Sequence, residues 1–202
     1  WWEALSIAVA GPGGDTRRAR LALEDAKAEL EIRPPGAHLP LYVLPNADGV
    51  AYGNVVLDPA SREYLLANLH AIGDELRRGV ATVTLWEEML DGRVGPSAML
   101  DALLRALPLE GTELTVQRML GYTQQAFWRW IPPGRRAALA PELEALLRGG
   151  LGAAKTPSLK SAWFNALRDV AFTPGTIQWL ERVWRKDEVV PGLVLAEPDF
   201  IK

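Results

Sequence analysis

The chain has no cysteine and only two histidines, His38 and His70, among its 202 residues. No disulfide framework, thiol nucleophile or cysteine-based zinc site can be built from it. His70 is followed by Ala71-Ile72-Gly73-Asp74, so the His-Glu-x-x-His arrangement of a helical zinc-peptidase site is also missing. Each histidine is therefore expected to be an ordinary loop or helix-end residue. No apolar run approaches the ~18 residues of a membrane span, and no membrane partner is expected. Basic residues number 22 against 25 acidic ones, a formal net charge of -3. That balance gives no footprint of a nucleic-acid partner. The first residues, Trp1-Trp2-Glu3, offer neither an initiator Met nor a basic signal-peptide start. They read as the interior of a longer chain. A cytoplasmic setting is compatible with the lack of cysteine.

What is present is a large apolar share, 49%, with 23% charged residues, which excludes disorder and promises a packed core. The pattern changes near Asp58. Before it, apolar residues alternate with polar ones and turn residues punctuate them. Expected strands are Leu5–Val9, Arg18–Leu23, Ala28–Ile32, Leu41–Leu44 and Val50–Leu57, separated by Gly11–Asp15, Glu24-Asp25, Pro34-Pro35-Gly36 and Asn46–Gly49. In the last of these, Asp48-Gly49 is read as a hairpin turn with glycine at positive φ. Five short strands predict a small antiparallel sandwich or part of one.

After Asp58 the period becomes helical. Asp58-Pro59, Thr156-Pro157 and Thr173-Pro174 each place a capping side chain before a proline suited to the first helical position, and Gly95-Pro96 is a weaker start. Apolar faces are read at Leu76/Val80/Val83/Leu90, Val116/Leu120/Phe127/Trp130, Leu139/Leu143/Leu146/Leu147, Leu159/Trp163/Ala166/Val170 and Ile177/Leu180/Trp184. Pro141 is expected to begin or kink a helix, and Gly149-Gly150-Leu151-Gly152 to break one. About seven helices result. Trp86, Trp128 and Trp163 recur at spacings of 42 and 35, the period of a helical-hairpin solenoid. The eight tryptophans are read mainly as packing between hairpins. Glu87-Glu88 and the pair Glu142 and Glu144 read as surface carboxylates. Gln124, Gln125, Arg129, Arg135 and Arg136 cluster around Phe127-Trp128 and Trp130. They offer amide and guanidinium groups to a peptide, with a solvated helix face as the alternative.

The stretch Leu44 to Asp58, with Pro45, Asn46, Gly49 and Tyr52 and with Pro40 upstream, resembles a junction in aminopeptidase N-like zinc metallopeptidases. There a short sandwich domain ends in a strand that carries these residues, and an α-helical superhelix follows directly. Trp2–Ile7 is similar to a strand of that sandwich, and Leu85–Leu90 and Ala126–Trp130 are similar to superhelix segments. The resemblance implies a mixed, mainly α chain. Residues 1–58 would be a partial β-sandwich domain, and 59–202 a superhelix of HEAT-like antiparallel helix pairs, truncated near Pro198–Lys202. It implies a non-catalytic region that encloses a peptide-binding chamber and controls access to it. The zinc, the His-Glu-x-x-His motif and the exopeptidase motif would lie in an upstream catalytic domain of the same polypeptide. No catalytic or metal-ligating residue carries over to this chain. Gln124, Gln125 and Arg129 are the candidates to touch peptide substrates. A stand-alone helical-repeat scaffold binding a protein partner is the alternative.

Overall fold

A computed structural model describes residues 3–25, 27–32 and 38–195, the side chain of Glu3 excepted. The chain divides into two compact units, residues 1–102 and 103–202. The change of periodicity at Asp58 lies inside the first. The expected Pro34-Pro35-Gly36 break and the expected truncation near Pro198–Lys202 fall outside the described residues, as do Trp1 and Trp2.

In the first unit, β1 (Glu3–Ala10) and β2 (Thr16–Leu23) pair antiparallel, in unbroken register from Glu3↔Leu23 to Ala10↔Thr16. The turn between them closes with Gly11 N–H donating to the Asp15 carbonyl at 2.8 Å. Gly14 sits there at φ +83°, where a side chain would be strained. β3 (Tyr42–Leu44) pairs antiparallel with the other side of β1, giving the order β2-β1-β3. The central strand buries Ile7, Ala8, Val9 and Ala10 on both faces.

Two expected strands do not form. Residues 28–32 join no ladder, and Leu30 stays exposed between charged neighbours; alternation without a surface to bury it against does not make a strand. Residues 50–57 are irregular because side chains take their backbone groups. Asn46 bonds both the N–H and the C=O of Ala51 (2.9 and 2.8 Å), Asp48 accepts from Val50 N, and Glu88 accepts from Leu57 N. The Asn46–Gly49 turn exists, with Asn46 at φ 54° and Gly49 at φ 70°. It leads into this pinned loop rather than into a hairpin. Among the described residues the sheet is a single three-stranded layer.

Seven α-helices follow among the described residues. In the first unit are α1 (Pro59–Asn68) and α2 (Glu75–Leu90), and α3 (Pro96–Ala106) begins there. The second unit holds α4 (Glu113–Gln125), α5 (Pro133–Ala153), α6 (Pro157–Val170) and α7 (Pro174–Trp184). The capping arithmetic holds. Asp58, Thr156 and Thr173 accept hydrogen bonds from Ser61 N, Leu159 N and Thr176 N at the starts of α1, α6 and α7, each with proline in the first turn, and Pro96 opens α3. Helices pack in pairs: α1 against α2, α5 against α6, and α4 also against α6. The edge strand β3 rests on α1, where Ser61 Oγ accepts from Val43 N at 2.8 Å and Tyr42 stacks on Tyr64 at 5.6 Å.

In α2 and α7 the buried face differs from the apolar reading. α2 buries Ala81, Thr82, Thr84, Leu85, Trp86, Glu88 and Met89 and leaves Leu76 and Leu90 exposed. Its polar core residues satisfy themselves: Thr82 Oγ1 donates to the Arg78 carbonyl at 2.8 Å. Glu88 is not a surface carboxylate like Glu87. It receives Leu57 N, the Arg62 guanidinium and Arg93 Nε, the last at 3.0 Å, so its burial is compensated. α7 buries Thr176, Trp179 and Val183, one position away from the expected Ile177/Leu180/Trp184 stripe. Trp179 is fastened there by Glu188 on its indole nitrogen and by Arg148 stacked 4.1 Å from its ring.

Helix α5 also departs from expectation. It starts at Pro133, runs through Pro141 and ends at Ala153, so it does not begin at that proline and the glycine run lies inside it. Pro141 lies on the exposed side, where the carbonyl left without its usual N–H can be solvated. Gly150 instead marks where α5 and α6 approach closely, since a Cβ there would penetrate the Trp163 ring, whereas Gly149 faces open space. Gly149→Ala should therefore raise stability by up to about 1 kcal/mol through helix propensity. Gly150→Ala should lower it by about 1–3 kcal/mol through overpacking. Chemical denaturation of the two variants beside the unmodified chain checks the opposite signs.

Candidate peptide-contact site

The predicted contact residues lie in the second unit, at the C-terminal end of α4. The α-helix gives way there to a π-helical turn, Ala126–Trp130, closed by Ile131 N–H donating to the Ala126 carbonyl at 3.0 Å. A π-turn inserts one residue into the helical count. The insertion re-phases the segment: Phe127 and Ile131 are buried, while Trp128 and Trp130 are 38% and 44% exposed. The expected Val116/Leu120/Phe127/Trp130 stripe thus ends on Ile131 in place of Trp130.

Three chain segments meet around Trp128. Its indole N–H donates to the Asp169 carbonyl at 2.7 Å. Its ring lies 5.1 Å from Phe127 and 6.4 Å from Phe172. The Arg136 guanidinium sits 5.2 Å from its centroid, a cation–π distance. Arg136 Nε donates to the Ile131 carbonyl at 2.9 Å. The Asp169 carboxylate is engaged by Gln124 Nε2 at 2.9 Å and Arg168 Nε at 3.0 Å.

Of the candidates, Gln124 is thus partly buried and held by Asp169. Gln125 and Arg129 are exposed and make no side-chain hydrogen bond among the described residues. Arg136, from the same sequence cluster, reaches Trp128, while Arg135 is exposed. Asp169 and Phe172 complete the arrangement from the end of α6 and the turn after it. Their sequence surroundings carry no motif that announces this.

The position of Phe172 is set by Glu144, which is buried, unlike the exposed Glu142. From α5, one oxygen of Glu144 accepts Phe172 N at 2.6 Å and Thr173 N at 2.8 Å. The other accepts the hydroxyls of Thr173 and Thr176, the latter at 2.6 Å. The surface reading of Glu144 fails because these donors replace water. Burial by itself would raise the Glu144 carboxyl, but the bonds from Thr173, Thr176 and Phe172 outweigh it and hold the group below the ordinary glutamate range.

No protein-family model and no curated protein matches this chain. Among the described residues no three His, Cys, Asp or Glu side chains converge to hold a metal. The zinc that the resemblance implies has no ligand set among them. His38 is exposed and His70 lies in a short 3-10 turn, Leu69–Ala71. No helix among these residues is long and apolar enough to cross a membrane.

Because the folded-state value of Glu144 is depressed, its contribution to stability is complete above the unfolded glutamate pKa of about 4.3 and is lost as pH falls through the folded value. Thermal melts across that acid range should show the unmodified chain losing stability faster than Glu144→Gln, while at neutral pH the variant should melt lower. Parallel pH profiles for the two proteins would contradict the assignment. Glu144→Ala, which strands two backbone N–H groups, should cost about 2–4 kcal/mol at neutral pH.

Proposed function

We propose that this chain is the non-catalytic C-terminal region of a zinc-dependent aminopeptidase. In this reading its helices belong to a HEAT-like superhelix that encloses the peptide chamber and controls access, and its sheet is part of the preceding β-sandwich. The observation that carries the reading is the order of elements at the junction. An antiparallel sheet ends at β3, a loop pinned by Asn46 follows, and an Asp58-capped helix opens a series of packed helices. That order fits the resemblance of Leu44–Asp58, although residues 50–57, a strand in that family, are irregular in this chain.

The chemistry would reside upstream, where zinc polarises the scissile carbonyl and activates water. The residues of this chain would act on the peptide away from the scissile bond. Gln124, fixed by Asp169, presents an oriented amide, Gln125 presents free donors from the exposed end of α4, and Arg129 does so from the π-turn that follows. Contacts remote from the reacting atoms position a substrate and select its length and composition. Flexing between helix pairs would open and close the chamber. The second reading, a stand-alone scaffold for a protein partner, is favoured by the exposed Trp128, Trp130 and Phe172, since aromatic residues are enriched at interfaces.

The parent polypeptide should hydrolyse aminoacyl-nitroanilides, lose that activity to a chelator, and show a KM for longer peptides that rises about threefold to tenfold in Arg129→Ala. The purified 202-residue chain should show no turnover with added zinc. Turnover by this chain alone, or a parent without chelator-sensitive hydrolysis, would sink the proposal.

A further inference from the structure

We infer that Arg136 and Trp128 form a receptor for an acidic side chain lying next to a large apolar one in an extended peptide. This rests on reading the face as a peptide contact, but not on the peptidase assignment of the whole protein. The guanidinium is fixed in two ways, by stacking 5.2 Å from the Trp128 centroid and by the bond from Nε to the Ile131 carbonyl. Trp128 is in turn fixed by its indole bond to the Asp169 carbonyl. Only the Nη edge of Arg136 is left without a partner among the described residues. A guanidinium held this way offers its remaining N–H pair in the fork geometry that a carboxylate accepts, with little rotamer entropy left to lose.

Charge complementarity identifies the ligand group. Residues 124–140 contain Arg129, Arg135 and Arg136 and no acidic residue. The neighbouring carboxylate, Asp169, is engaged by Gln124 and Arg168, and none of the three arginines forms an ion pair among the described residues. Trp128, on which the guanidinium stacks, forms an aromatic shelf with Phe172: the two are 38% and 39% exposed, with ring centroids 6.4 Å apart and planes tilted by 45°. A shelf adjoining an anion receptor suits an apolar side chain next to the carboxylate-bearing residue. Its rigidity derives from Glu144, which holds the backbone of Phe172.

The test titrates the full chain with a blocked peptide carrying Glu-Phe-Glu, acetylated and amidated, and with its Gln-Phe-Gln counterpart. Calorimetry and tryptophan fluorescence are both usable because the peptides lack tryptophan. The acidic peptide should bind at least about tenfold more tightly than the amide version. Arg136→Lys, which keeps the charge but not the fork, should lose at least fivefold for the acidic peptide alone. Equal binding of the two peptides, no binding of either, or an unaffected Arg136→Lys would overturn the inference. So would tighter binding of Gln-Phe-Gln bearing a free C-terminal carboxylate, which would assign the receptor to chain termini. The peptide comparison needs no variant, so misfolding of Arg136→Lys would not obscure it. Failure here leaves chelator-sensitive hydrolysis by the parent untouched, and the reverse also holds.

Discussion

A buried carboxylate that collects the start of a neighbouring helix is the interaction on which both units depend. Glu88 on α2 receives Leu57 N, next to the Asp58 cap of α1, together with Arg62 from α1 itself. Glu144 on α5 receives Phe172 N and Thr173 N and the Thr173 hydroxyl, at the cap of α7. In each case a charge withdrawn from water is repaid by several donors at once, including backbone N–H groups that no helical carbonyl can satisfy. Both carboxyls accordingly lie below their ordinary range even though burial pushes the other way. A satisfied internal anion of this kind has few alternative partners, so it specifies which helix start docks where.

The consequences reach the candidate site. Because Glu144 fixes Phe172, the aromatic wall opposite Trp128 belongs to a rigid corner rather than to a free loop. The π-turn supplies the other half by turning Trp128 and Trp130 outward while Phe127 and Ile131 fill the core. The close approach of α5 and α6 at Gly150 keeps the helix that bears Glu144 against the helix that bears Asp169. Binding groups held by packing and by a second layer of hydrogen bonds lose less entropy when a ligand arrives.

Much of this was legible in the sequence. The four helix starts, the change of period after Asp58 and the strands β1 to β3 follow from local rules, because capping, proline geometry and alternation act within a few residues. Most of the errors share one cause. Strands at 28–32 and 50–57, the apolar faces of α2 and α7, and the surface reading of Glu88 and Glu144 each assumed that apolar means buried and polar means exposed. That assumption fails wherever a distant group can satisfy a polar atom. Thr176, Glu88 and Glu144 are buried on those terms, while Leu76 and Trp184 are left outside. The π-turn escaped for a related reason, since one inserted residue shifts every later position off the helical count.

The sequence by itself determined where four of the helices begin, that β structure precedes them, and that thiol chemistry is excluded from this chain. These follow from covalent chemistry and near-neighbour geometry. Tertiary structure alone decided that Gly150 is a contact and not a break, that two glutamates are internal anchors, and that Arg136, Trp128, Asp169 and Phe172 form one arrangement. Glu144 and Thr173 stand far apart along the chain, and only the packing of α5, α6 and α7 brings the carboxylate to the donors that make its burial tolerable.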